Sequence, residues 1–156
     1  MKIMFVCHGN ICRSPMAEFI MKHLIASYGV SDVAVSSSAT STEEIWGGIG
    51  SPTYPPALRE LERRGIPTYS RRAVQLRRDD YDKYDLIVGM DDKNIRGIYR
   101  IIGNDHDKKV HKLLDYVGSG RDVSDPWYSD RFDVAFDDIF AGCKALLEEI
   151  KSDKCK

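Results

Sequence analysis

The chain has 156 residues, 42% of them hydrophobic and 30% charged. That suits one globular domain with a core that needs neither disulfides nor metals as staples. Its 23 basic residues nearly cancel 24 acidic ones, for a formal net charge of -1, which argues against a nucleic-acid-coating protein or an acidic tail. No apolar run approaches the roughly 20 residues that a membrane helix needs. The apolar start Met1 to Val6 is too short for a secretory signal, so a cytoplasmic, reducing home is expected.

Strand and helix patterns alternate along the chain. Lys2 to Val6 is a short apolar run that reads as a buried strand. Pro15 marks a helix start, since its missing N–H costs nothing at the first helical position. Met16, Phe19, Ile20, Leu24 and Ser27 follow at helical spacing, and Gly29 is a stop signal. Val33 to Ser38 reads as a second strand. Between Ser36 and Pro56, Ser, Thr, Gly and Pro crowd together as in a functional surface loop. Pro55 to Arg64 is helical and is ended by Gly65 and Pro67. Asp85 to Met90 is a third buried strand, Asp92 to Ile101 a helix, and Val110 to Leu114 a fourth strand. The last helix runs from about Arg131 to Lys151 on a stripe of Phe132, Phe136, Ile139, Phe140, Cys143, Leu147 and Ile150. The expected fold is α/β, three-layered, with a mainly four-stranded parallel sheet flanked by helices on both faces, all within a single domain of residues 1–156. Ligands of such sheets bind beyond the carboxyl ends of the strands, which directs attention to the segment after the first strand.

That segment reads Val6-Cys7-His8-Gly9-Asn10-Ile11-Cys12-Arg13-Ser14-Pro15. A loop of this length between a strand end and a helix start can curl so that its backbone N–H groups form a nest for an anion. The helix N-terminus adds partial positive charge and free donors, and Arg13 adds a planar fork that fits two oxygens of a phosphate. Gly9 permits the turn, and Asn10 tolerates positive φ. Cys7 in such a field is expected as a thiolate nucleophile aimed at phosphorus, with Ser14 placed to donate its hydroxyl to the sulfur. Of the other cysteines, Cys143 reads as a small core hydrophobe, and Cys155 is expected in a frayed tail. None of His8, His23, His106 and His111 has metal-ligand spacing, so no metal and no cofactor is expected. His8 is expected at the rim of the loop.

The string C-H-G-N-I-C-R-S-P near the N-terminus resembles the low-molecular-weight protein tyrosine phosphatase family. The likeness continues in Ser38-Ala39-Thr40, where the family has S-A-G-T, in the strand end Asp85 to Asp91, and in the loop Asp125-Pro126-Trp127-Tyr128 before the last helix. The resemblance implies a phosphatase I-like fold with flavodoxin-like winding and hydrolysis of protein phosphotyrosine through a phosphocysteine. Cys7 would be the nucleophile, Arg13 the phosphate clamp and Asp125 the general acid and base. His8, Gly9, Asn10, Ile11, Cys12 and Ser14 would form the phosphate-binding loop. Trp127 and Tyr128 after the acid, and Trp46 in the long loop, either wall a slot for the phenyl ring or are ordinary exposed loop aromatics. Cys12 has two readings: a small residue packed behind the loop, or, as the resemblance favours, a redox partner that captures oxidised Cys7 as a disulfide.

Many members carry a His that supports the loop Asn; the matching stretch here, Ser70 to Gln75, has none. Either Arg71 or Ser70 replaces it, or the support differs. Partners implied are a phosphotyrosine protein and a phosphate or other oxyanion, with neither nucleic acid nor membrane, and a monomer or weak dimer. Three rivals remain. A protein-arginine phosphatase would carry Thr where Ile11 stands. An arsenate reductase of the same fold would need further cysteines, which Asp79 to Lys93 lacks. A non-catalytic phosphopeptide-binding module would need neither nucleophile nor acid. The arginines 59, 63, 64, 71, 72, 77 and 78 either attract acidic substrate regions or form a solvated basic face.

Overall fold

The computed structural model describes residues 1–154; Cys155 lies outside the described residues. Four strands form one parallel sheet in the order β2-β1-β5-β6: β1 (Lys2–Cys7), β2 (Ala34–Ala39), β5 (Leu86–Gly89) and β6 (Val110–Lys112). Side chains alternate across the sheet, as the pleat requires. Ile3, Phe5 and Cys7 of β1 enter one core with α1 (Arg13–Ser27) and α6 (Phe132–Lys154). Met4 and Val6 enter a second core on the opposite face, with Ile98 and Ile102 of α4 (Asp92–Ile102). Burial on both faces is why the strands read as unbroken apolar runs. Fully covering Phe5 or Ile3 stabilises the fold by about 1.5–3 kcal/mol each.

The expected α/β architecture is present, with local differences. Helix α1 begins at Arg13, so Pro15 sits within the first turn, where backbone N–H groups have no partner inside the helix. The fourth strand is shorter than the expected Val110 to Leu114. It ends at Lys112, and Leu113–Val117 form a 3-10 turn. Leu113 turns inward because Gly142 of α6 leaves it room: a Cβ on Gly142 would come within 2.5 Å of its Cγ. The Ser36 to Pro56 stretch holds a small hairpin, β3 (Ile45–Trp46) and β4 (Ile49–Gly50). Gly47 and Gly48, both at positive φ, make its turn. Helix α2 spans Pro55–Arg63, and the short helices α3 (Asp80–Lys83) and α5 (Pro126–Ser129) complete the fold.

The sheet order places β2 on one side of β1 and β5 on the other. The carboxyl ends of β1 and β5 therefore flank the point where the chain changes direction, and a ligand crevice forms there. Cys7 ends β1, and Asp91 follows β5.

Candidate active site

The loop from Cys7 to Cys12 wraps the N-terminus of α1. No acidic residue lies in the first turn of α1, so its partial positive charge is free for an anion. Cys7 Sγ lies 3.0 Å from Ser14 Oγ and accepts from Ser14 N at 3.4 Å. The Ser14 hydroxyl also accepts from Asn10 Nδ2 at 2.8 Å. Its own proton is better spent on sulfur at 3.0 Å than on Ser38 O at 3.4 Å. The expected pairing of Ser14 with Cys7 is thus present.

Asn10 holds the loop from behind. Its φ is 60°, a left-handed conformation that Asn tolerates. The side chain is fully buried and donates to Ser14 Oγ and to Ser37 Oγ at 3.0 Å. Its Oδ1 accepts from Arg71 Nη2 at 2.7 Å and from Val74 N at 3.1 Å. Arg71 Nη1 also reaches the Asn10 carbonyl at 3.2 Å. Arg71 therefore makes the contact for which no His is available. Behind it lies Glu18, a buried carboxylate that accepts from Ser37 Oγ at 2.7 Å and from the Tyr69 hydroxyl. Arg71 Nε stands 3.6 Å from Glu18 Oε1. Burial and then Glu18 push the Tyr69 hydroxyl pKa up.

Arg13 is buried and divides its donors. Nη1 is committed to Asp91 Oδ2 at 2.7 Å and Val123 O at 2.8 Å, while Nη2 has a long contact of 3.5 Å to Asp125 Oδ2. Burial works against the Arg13 charge, but Cys7, Asp91 and Asp125 outweigh it and hold its pKa above the ordinary value. Asp91 also caps α4, accepting from Asn94 N at 2.7 Å. Asp125 caps α5, with Oδ1 accepting from Trp127 N at 3.0 Å.

Around Cys7 is a pocket of about 120 Å³. His8, Gly9, Ile11 and Cys12 line it, as do Asp125, Trp127 and Tyr128. Trp127 leans on Tyr54, with ring centroids 4.9 Å apart. Burial, reinforced by Cys7, pushes the Cys12 thiol pKa well up.

Over residues 2–156 the chain matches the family model for low molecular weight phosphotyrosine protein phosphatase. The chain belongs to this family. It is 36% identical to the low molecular weight protein-tyrosine-phosphatase YfkJ of Bacillus subtilis, over 97% of each chain. The crystal structure of YfkJ superposes with a TM-score of 0.91 at 34% identity, covering 99% of this chain and 96% of that one. Two other similar structures carry a different description. One is a Drosophila arginine phosphatase, at TM-score 0.85 and 27% identity over 98% of this chain and 99% of that one. The other is YwlE arginine phosphatase, in a mutant with a phosphorylated active-site serine, at TM-score 0.82 and 29% identity over 98% and 97%.

Within this family scaffold, some residues expected at the substrate sit elsewhere. Asn10 and Ser14 have fully buried side chains behind the loop. Trp46 does not line the pocket: it is 72% exposed beside the Gly47–Gly48 turn, which carries it into solvent. In its place stand two residues the sequence reading missed, Glu43 and Glu44. Glu44 is held by Ser51 Oγ at 2.9 Å, and Glu43 Oε2 lies 2.9 Å from His8 Nε2. Asp91, Glu18, Tyr54 and Tyr69 were also missed, because each acts through a partner distant in sequence. Cys143 is fully buried in the core, as expected for a small hydrophobe.

Proposed function

We propose that this chain hydrolyses phosphotyrosine in proteins through a phosphocysteine formed on Cys7. The observation that carries the reading is the Cys7 sulfur held by Ser14 at the free N-terminus of α1, within one pocket that Asp125 also lines. Cys7 Sγ attacks phosphorus as the P–O bond to the tyrosyl oxygen breaks. Asp125 gives its proton to the departing phenolate, a group that is hard to expel unprotonated. Asp125 then takes a proton from the water that attacks the phosphocysteine, releasing phosphate and the Cys7 thiolate. Arg13, with Nη1 fixed by Asp91 and Val123, offers Nη2 to the phosphoryl oxygens. Loop amides from His8 to Arg13 face the same anion. Trp127 and Tyr128 flank the ring. On this reading residues 1–156 work as one domain in the cytoplasm, without metal or cofactor. Phosphorylation of an active-site serine in a mutant of YwlE supports a covalent phosphoryl intermediate at the nucleophile position.

A second reading, hydrolysis of phosphoarginine, is favoured by Glu43 and Glu44 at the pocket, since carboxylates pair with a guanidinium. Apolar Ile11 in the pocket wall favours the aromatic ring. The test is hydrolysis of an aryl phosphate by wild type, Cys7→Ser and Asp125→Ala. Cys7→Ser should be inactive, and Asp125→Ala should lose about 10²- to 10⁴-fold, less with a leaving group that needs no proton. Equal activity of all three proteins refutes the mechanism. Phosphotyrosine and phosphoarginine peptides of one sequence then separate the two readings.

A further inference from the structure

A second groove, of about 510 Å³, adjoins the pocket. His8 lines both. The groove's other charged residues are Lys93, Arg96 and Arg100, all on α4. At positions i, i+3 and i+7 they fall on one helical stripe, and all three are exposed. Among the described residues none of the three side chains has a carboxylate or ring partner. Of the arginines expected to form a basic face, Arg64 pairs with Glu60 and Asp137, Arg63 with Glu60, and Arg71 with Glu18, and Arg72 donates to Gly50 O; Arg59, Arg77 and Arg78 are exposed but line neither the pocket nor this groove. The unpaired positive charge on α4 is thus the part that lines a groove sharing His8 with the pocket.

The groove is rigidly joined to the loop that carries Cys7. Thr40 N donates to Cys7 O at 2.9 Å, and Ser41 donates to His8 O from both N and Oγ, at 3.1 and 2.9 Å. Helix α4 is pressed against this wall at Gly97, where a Cβ would come within 2.9 Å of Thr40. On the pocket itself, Glu43 and Glu44 repel anions, and neither lines the groove.

We infer that the α4 groove docks acidic side chains flanking the phosphotyrosine in the substrate chain. This rests on the phosphatase reading above. Lys93 to Arg100 spans about 10.5 Å along the helix, the length of about three extended residues, so a run of three Asp or Glu fits the stripe. Charge complementarity and the shared His8 select this occupant. An acidic run lying over Glu43 and Glu44 would be repelled, so the preference belongs to one side of the phosphotyrosine.

The test uses phosphotyrosine peptides of one sequence carrying three Glu residues before or after the phosphotyrosine, each with a Gln twin. Wild type is compared with the Lys93→Gln, Arg96→Gln, Arg100→Gln triple variant, and an aryl phosphate serves as control. Wild type should hydrolyse one acidic peptide about tenfold better than its twin, by kcat/KM, as three exposed charge contacts allow. That preference should shrink as the screening length falls from about 10 Å at 0.1 M salt to about 3 Å at 1 M. The triple variant should treat the twins alike while cleaving the aryl phosphate as wild type does. No preference in wild type, a preference insensitive to salt, or one retained by the triple variant overturns the docking site. So does loss of aryl phosphate hydrolysis in the variant. Failure of wild type to cleave the aryl phosphate overturns the phosphatase reading itself, a separate outcome.

Discussion

Replacing Arg71 with Ala tests whether the loop is held from behind. The substitution removes the 2.7 Å and 3.2 Å bonds to Asn10 and the 3.6 Å approach to Glu18. Breaking a buried pair by deleting one partner costs about 3–5 kcal/mol. Here the lower end applies. Glu18 keeps Ser37 and Tyr69, with Lys22 Nζ at 3.7 Å, and Asn10 Oδ1 keeps Val74 N. About 3 kcal/mol in a domain of this size lowers Tm by about 6–12 °C. Catalysis should suffer as well. The left-handed backbone at Asn10 is one that Asn tolerates, and the bonds from Arg71 and Val74 to its side chain fix its place in the loop. With Arg71 gone, Asn10 and through it Ser14 lose their fixed position beside Cys7, and kcat should fall about 10- to 100-fold. Thermal unfolding and steady-state hydrolysis of an aryl phosphate measure the two effects. Arg71→His, which keeps one ring N–H for Asn10 Oδ1, should recover part of kcat; Arg71→Ala cannot. A drop in Tm with kcat unchanged would show that Arg71 only stabilises the fold, and no change in either would refute the reasoning entirely.

Two further outcomes follow from neighbouring groups. Brief peroxide treatment should oxidise Cys7 to a sulfenic acid, which condenses with the Cys12 thiol to a disulfide and water, so that dithiothreitol restores wild-type activity. Because burial keeps Cys12 a neutral thiol, this capture is slow, and Cys12→Ser should instead accumulate sulfinic acid at Cys7; equal recovery of the two proteins would sink the idea. At the start of α6, hydrogen bonds from Arg131 hold the Asp133 pKa at about 2, below its ordinary 3.8. A depressed carboxylate stabilises the fold above its unfolded pKa, and that contribution is lost as pH falls from about 4 toward 2. NMR titration should find this midpoint, and Arg131→Gln should return it to the ordinary range; an unshifted wild-type midpoint contradicts the pairing.

The sheet was legible because β1 and β5 are apolar on both faces, and α6 because its stripe repeats at helical spacing. Boundaries that depend on a neighbour were not. Leu113 and Leu114 look like strand but begin a 3-10 helix, with Leu113 packed into the space that Gly142 on α6 leaves open. The hairpin was available in Trp46-Gly47-Gly48-Ile49, a paired-glycine turn between apolar residues, yet four strand residues are too few for a periodic signal. In the site, Cys7, Ser14, Asn10 and Arg13 share one short segment, so local geometry reveals their relation. Glu18 from α1 and Tyr69 from the stretch after α2 act on the loop only through Ser37 and Arg71, and Asp91, after β5, acts through Arg13. Nothing in their spacing announces the meeting. The near-zero net charge concealed two opposed local fields, an acidic edge at Glu43 and Glu44 and a basic stripe on α4.

The division of Arg13 between two carboxylates bears on which of them carries the proton in the proposed mechanism. A phosphate monoester entering the pocket competes with both carboxylates for the one guanidinium of Arg13. In the proposed mechanism one of the two carboxylates hands a proton to the leaving group. Asp91 is bound to Arg13 Nη1 at 2.7 Å and to Asn94 N at 2.7 Å as the cap of α4, and protonation would weaken both contacts. Asp125 holds Arg13 by a single contact of 3.5 Å, and the incoming phosphate competes for that same Nη2. When the phosphate takes Nη2, Asp125 is released from its single contact with Arg13. On the proposed mechanism, binding of the phosphate thus frees Asp125 to donate, and after the phenol departs the same carboxylate serves as the base for the second step.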